Sequence, residues 1–160
     1  MTKKSAGILL YRIKTRAPEV FLVHPGGPFW KKKDIGAWSI PKGEFTDEED
    51  PLTAAKRELE EETGIKCNGP FLALSAVKQK SGKLVYAWAA EKDVDPDTLT
   101  SNTFQIEWPP KSGKLVAFPE IDKGQWFFAD EAKQKINAYQ APLIDELIVK
   151  LNQGIDDTVI

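Results

Sequence analysis

The chain has 160 residues, 41% hydrophobic and 29% charged, with a net charge of −2. That is the make-up of one soluble globular domain, able to bury roughly 70% of its unfolded surface without a staple, and it excludes the basic field that attracts a nucleic-acid polymer. One cysteine, Cys67, and one histidine, His24, exclude an internal disulfide and a Cys/His zinc site, and a reducing cytoplasm is the expected setting.

The N-terminal run Ala6–Tyr11 is too short for a signal-peptide core and far below membrane-spanning length. Ala6–Ile13, apolar with aromatic and β-branched members, reads as a buried strand. Lys14–Pro18 is a turn and Val20–Val23 a second strand, the pair forming a hairpin. His24–Gly36, with Pro25, Gly26, Gly27, Pro28 and then Lys31, Lys32 and Lys33, is a loop. Trp38–Ile40 is a short strand stopped by Pro41. Pro51–Thr63 is the clearest helix: Asp50 caps it, Pro51 suits its first position and Gly64 stops it. Phe71–Val77 and Leu84–Ala90 are strands joined through a turn at Ser81-Gly82. Asp93–Gly124 is mixed, with one strand at Thr103–Trp108. Trp126–Phe128 is a last strand, Ala129–Tyr139 and Pro142–Leu151 are helices, and 152–160 frays. Hairpin-joined strands interspersed with helices predict a mixed sheet packed between helices, with one domain over 1–160 and its core at about 5–151.

The chemistry concentrates in the helix. Glu58, Glu61 and Glu62 are spaced by three and four, which puts them on one face. Like charges so placed repel by a few tenths of a kcal/mol per pair (~0.3), so a helix gains nothing structural from them. A divalent cation removes the repulsion, and hard carboxylate oxygens suit Mg²⁺, with Mn²⁺ as a substitute. Leu52, Ala55 and Leu59 form the neighbouring stripe that seats the helix on the core. Taken alone, such a run is more often a solvated acidic face.

The longer pattern changes that reading. Gly43, Glu49, Arg57-Glu58-Leu59, Glu61-Glu62 and Gly64-Ile65 resemble the Nudix box at every defined position. A full match arises by chance in fewer than about one in a million chains of this length. Ala6–Leu10, Trp38–Gly43 and Trp126–Ala132 also resemble the family's first strand, the lead-in to its box, and its late strand and helix start. The resemblance implies a Nudix-type α/β/α sandwich with a mixed sheet. It also implies hydrolysis of a phosphoanhydride bond in a small nucleotide-like substrate, with no membrane or nucleic-acid partner. The pattern specifies no oligomeric state.

By this resemblance Glu58, Glu61 and Glu62 bind the metal and one of them serves as general base. Gly43 offers a backbone carbonyl to the metal, and Glu49 pairs with Arg57 one layer behind the chemistry. A distant carboxylate is expected from a later loop, Glu120 ahead of its rival Glu107. Lys42 is a candidate phosphate contact, extended by Lys31, Lys32 and Lys33, for which a solvated loop is the competing reading. Among Trp30, Trp38, Trp88 and Trp108, Trp30, beside the loop, is the best placed to stack on a base; most tryptophans are core, and Trp38 and Trp88 lie in strands. His24 reads as a packing or hydrogen-bonding residue ahead of a general acid.

The Pro41-Lys42-Gly43 lead-in resembles members acting on dinucleoside polyphosphates or diphosphoinositol phosphates. A proline marker of ADP-ribose hydrolases is absent where it would fall, Pro70 being too near the box, and Tyr86 lies later than the tyrosine of diadenosine polyphosphate hydrolases. Nucleoside or dinucleoside polyphosphates therefore rank first, and a nucleoside diphosphate-sugar or diphosphoinositol second. A non-catalytic nucleotide-binding module is the further alternative; such modules usually have gaps in the acidic face, and none occurs here.

Overall fold

The computed structural model describes residues 3–153. Its first strand, β1 (Lys4–Arg12), is apolar on both faces because both faces are covered. Ala6, Ile8 and Leu10 point to one hydrophobic cluster, Leu9 and Tyr11 to the other. β2 (Glu19–Pro25) follows as the expected hairpin partner, but the two strands pair only at Tyr11–Val20 and Arg12–Glu19. Beyond that point they diverge. The freed edge of β1 takes a short strand the sequence did not suggest, β3 (Lys42–Phe45), antiparallel from Lys4–Phe45 to Gly7–Lys42.

The segment before β3 fills the split. The expected Trp38–Ile40 strand is reduced to isolated bridges, with Ser39 exchanging backbone hydrogen bonds with Val23 at 2.9 and 3.0 Å. Ile8 N–H donates to the Pro41 carbonyl at 3.2 Å. This approach requires Gly7, where a β-carbon would stand 2.5 Å from the Pro41 carbonyl oxygen and 2.7 Å from Lys42 Cβ.

The helix α1 (Pro51–Thr63) has the predicted bounds. Asp50 accepts from Thr53 N–H at 3.0 Å, and Gly64, at φ +80°, donates back to Glu60 O at 2.7 Å. Ala54, Ala55 and Leu59 pack with Ile8, Leu10 and Phe21. β4 (Leu72–Lys78) and β5 (Leu84–Glu91) complete one side of the sheet, β5 running parallel to β1 over its whole length. The region 93–124 holds a separate two-stranded arm, β6 (Thr103–Glu107) with β7 (Leu115–Pro119), of which only the first strand was expected. β8 (Ile121–Phe128) is longer than its Trp126–Phe128 kernel and pairs with β2. The main path is β4-β5-β1-β2-β8, with β3 on β1.

The opposite face is covered by α2 (Ala129–Lys135) and α3 (Ala141–Gln153), where Leu143, Ile144 and Leu147 meet Leu9, Leu22 and Phe127. The sandwich is therefore α/β/α with a mixed sheet. The single helix expected over Ala129–Tyr139 is broken. Gly36 and Trp38 N–H groups take the carbonyls of Gln134 and Lys135, and Ile136 runs extended beside Trp38. Tertiary pairing there overrides helical propensity. Among the described residues no helix is long and apolar enough to cross a membrane.

Fully buried Gln140 ties this break to the split in the sheet. Its Oε1 accepts from Ile40 N–H at 3.0 Å, and its Nε2 donates to Ser39 Oγ and Tyr139 Oη, each at 3.0 Å. Gln140→Leu, close in volume, strands the buried Ile40 N–H, and a loss of about 1–3 kcal/mol is expected in urea unfolding. An unchanged midpoint would show that the amide contributes nothing net.

Candidate functional site

The acidic face of α1 meets β3 at Gly43. A β-carbon there would overlap the Glu58 carboxyl group, so the missing side chain is what lets that carboxyl lie against the strand. Arg57 holds the array from outside. Its Nε and Nη2 donate to the two oxygens of Glu49, both at 2.9 Å, while Nη1 reaches Glu58 at 2.8 Å and Glu61 at 3.1 Å. This bidentate arrangement raises the pKa of Arg57 further and lowers that of Glu49. Among the described residues no group of three or more His, Cys, Asp or Glu side chains is placed to hold a metal ion; Glu58 and Glu61 are instead paired with Arg57.

Glu62 points inward and accepts from the Lys42 N–H at 3.2 Å. Burial, reinforced by the charges of Glu58 and Glu120, pushes its carboxyl up to about 8 against the opposing Lys42 hydrogen bond. Glu58 is also raised, chiefly by burial, with Arg57 opposing and Glu61 and Glu120 reinforcing.

Glu120 reaches this neighbourhood through backbone bonds. The C-terminal carbonyls of α1 at Glu61 and Thr63 accept from Asn102 and Thr100 N–H at 3.1 and 3.0 Å, which satisfies groups a helix end leaves open. Asn102 O accepts from Glu120 N–H, and Glu120 O from Gly26 N–H, both at 2.8 Å. Glu120 thus sits in a strap stretched from α1 to the end of β2. Its rival Glu107 is occupied elsewhere, accepting from Lys111 and Gly113 N–H at 2.8 and 3.2 Å to close the arm's tip.

Lys42, Glu62 and Glu120 line one cleft of about 340 Å³ at the split between β1 and β2. Trp30 contributes an aromatic wall, its ring 5.0 Å from Lys33 Nζ. Lys31 and Lys32 are exposed and lie outside the cleft lining. Trp38 is buried between Phe127 and His24, half-buried Trp88 packs on the α1 cluster, Trp108 meets Phe29 edge-on, and Tyr86 packs on Phe45. Gln79, Asn137 and Tyr139 are among the lining residues that escaped the sequence reading. Gln79 Nε2 donates to Tyr139 Oη at 2.6 Å across 60 positions, and no local pattern announces such a pair.

The arrangement combines ionisable oxygens, a lysine and an aromatic wall around one opening, which suits a phosphorylated ligand with a planar group. The NUDIX domain family model matches residues 1–147. Nudix hydrolase 25 of Arabidopsis thaliana is 60% identical over 135 residues, covering 77% of this chain and 75% of that protein. The crystal structure of a C. elegans Ap4A hydrolase binary complex superposes with a TM-score of 0.68 at 22% identity, covering 96% of this chain and 100% of that one. The NUDIX domain of Shewanella oneidensis NrtR, complexed with ADP ribose, gives 0.62 at 17% identity, with coverages of 94% and 89%. The chain accordingly belongs to the Nudix hydrolase family, as a pyrophosphohydrolase that acts on a phosphoanhydride bond.

Proposed function

We propose that this hydrolase cleaves a nucleoside or dinucleoside polyphosphate, using Mg²⁺ held by Glu58, Glu61 and Glu62 together with the Gly43 carbonyl and Glu120. The observation that carries the reading is the meeting of Glu62, Glu120, Lys42 and Trp30 in one cleft. Nudix hydrolases generally use a divalent metal. The donor set here fits one: hard carboxylate oxygens, partly desolvated and mutually repelling, are what such an ion would stabilise. Similarity to an Ap4A hydrolase supports the substrate class. Similarity to a domain holding ADP ribose favours a nucleoside diphosphate-sugar as the second reading. Lone Cys67, buried and free, suits a reducing cytoplasm, and the match over 1–147 supports one domain for the chain.

When bound, the ion supplies charge neutralisation to the diphosphate and acidifies water. The chain's own residues do the rest. Lys42 places a positive charge beside Glu62 at the phosphate path. Trp30 offers a face for a base. Arg57 and Glu49 hold the helix and the preceding loop in register, so that the carboxylates need no reorganisation. One of the three glutamates takes the proton of the attacking water.

The primary test is turnover with product identification over Ap4A, nucleoside triphosphates including oxidised ones, ADP-ribose and a diphosphoinositol, with and without Mg²⁺. Metal-dependent cleavage of a polyphosphate is expected; preference for ADP-ribose would replace the first reading by the second. Glu61→Gln and Glu62→Gln should each lower kcat by about 10²–10³-fold while leaving the melting temperature of the metal-free protein undiminished. Full activity in either removes that residue from the ligand set.

The raised pKa of Glu62 fixes a pH dependence. The metal-free protein retains this proton below about 8, whereas binding requires the anion. Mn²⁺ affinity should therefore rise with pH, up to about tenfold per unit, and level off above that value. Calorimetry at pH 6 to 9 reads the slope directly, and a flat profile would exclude Glu62 as a ligand.

A further inference from the structure

His24 is 1% exposed and stands behind the cleft wall, between the lining residues Val23 and Pro25. Its ring lies edge-on to Trp38 with centroids 5.1 Å apart. Nδ1 is 2.9 Å from Asp122 Oδ1, and Nε2 is 2.6 Å from the Lys33 carbonyl oxygen. A carbonyl only accepts, so Nε2 carries the hydrogen of that bond.

Lys33 passes the constraint onward. Its own N–H donates to the Trp30 carbonyl at 2.9 Å, and its ammonium sits 5.0 Å from the centre of the Trp30 ring. One residue therefore couples the imidazole to both the backbone and the ring of the aromatic wall. Filling the space behind the wall would need only an apolar ring; neither polar bond serves packing. On its other side His24 meets Asp122, two positions beyond Glu120 in the strap. The imidazole thus sits where the lysine-rich turn and the Glu120 strap are both anchored.

We infer that His24 is a positioning residue for substrate binding, which holds the Trp30–Lys33 turn against the cleft by donating to the Lys33 carbonyl. This rests on the reading of the cleft as the substrate site. It assigns His24 no contact with substrate and no role at the metal face.

His24→Phe keeps the ring and removes both bonds. His24→Gln restores a donor near the Nε2 position. His24→Asn, too short to reach Lys33 but able to keep a polar group beside Asp122, removes the Lys33 bond alone should the Phe variant not fold. Limited trypsin digestion without metal or substrate, with cleavage sites assigned by mass spectrometry, reads the turn directly. In His24→Phe or His24→Asn, cleavage after Lys31, Lys32 or Lys33 should accelerate by about tenfold or more, since a released turn enters the protease more often. For the substrate identified by the panel, KM should rise about tenfold with kcat within about twofold, the pattern of lost uniform binding. His24→Gln should return both readouts toward the unaltered protein. Unchanged tryptic rates, or a loosened turn with an unchanged KM, would overturn the inference. If the unaltered protein turns over no nucleotide, the functional reading fails and this one with it; if it does and only the variants behave as wild type, this one fails alone.

Discussion

The structure depends on one close approach, that of the Pro41–Gly43 segment to β1 and to α1. β1 and β2 separate after two residue pairs, and the gap between them would expose unpaired backbone. Ser39, Pro41 and β3 supply the missing partners, but only because Gly7 has no side chain to keep Pro41 away. The same packing delivers Gly43 to the acidic face of α1, where it too must lack a β-carbon. Two glycines thus set the distance between a strand edge and a helix, and the cleft is the space left above that seam.

Electrostatics in this seam follow from burial more than from repulsion between helical neighbours. Like charges at helix spacing cost about 0.3 kcal/mol per pair. The lift of Glu62 from 4.5 to about 8 represents roughly 5 kcal/mol of disfavoured ionisation. Desolvation therefore dominates, and Arg57 relieves Glu58 and Glu61 but makes no bond to Glu62. The innermost carboxylate is left with a backbone N–H and with two negative neighbours that raise it further. On the proposed reading, the inner end, where Arg57 does not reach, is where a bound cation would act.

Helix α1 was legible to the residue, because its cap, first-turn proline and terminal glycine are all local signals. The sandwich followed from the hairpin-joined strands interspersed with helices and from the box resemblance. What escaped was non-local. β3 has the sequence Lys-Gly-Glu-Phe, which no propensity marks as a strand; it forms because β1 has an open edge. The break at Ile136 has no helix-breaking residue and arises from Gly36 and Trp38 claiming carbonyls about a hundred positions away. Glu120 and Glu107 look alike in sequence. One is carried to the cleft by a relay of backbone bonds, and the other folds back on its own hairpin tip.

The two sides of the cleft are built to different standards of rigidity. Glu62 stands on a capped helix packed against the central strand, and Arg57 ties that helix to the preceding loop through its fork on Glu49. The opposite wall is loop: Trp30 and the lysines owe their position to a turn bond, a histidine and the short strap through Glu120. Chemistry that needs sub-ångström placement belongs on the first side. Recognition of a base or a sugar, which tolerates wider geometry, fits the second, since loops accept changes of length and sequence that a packed helix does not. On the proposed reading the chemistry lies in a continuous local motif, whereas the rest of the cleft is lined by Trp30, Gln79, Asn137 and Tyr139, residues from separate parts of the chain that only folding brings together.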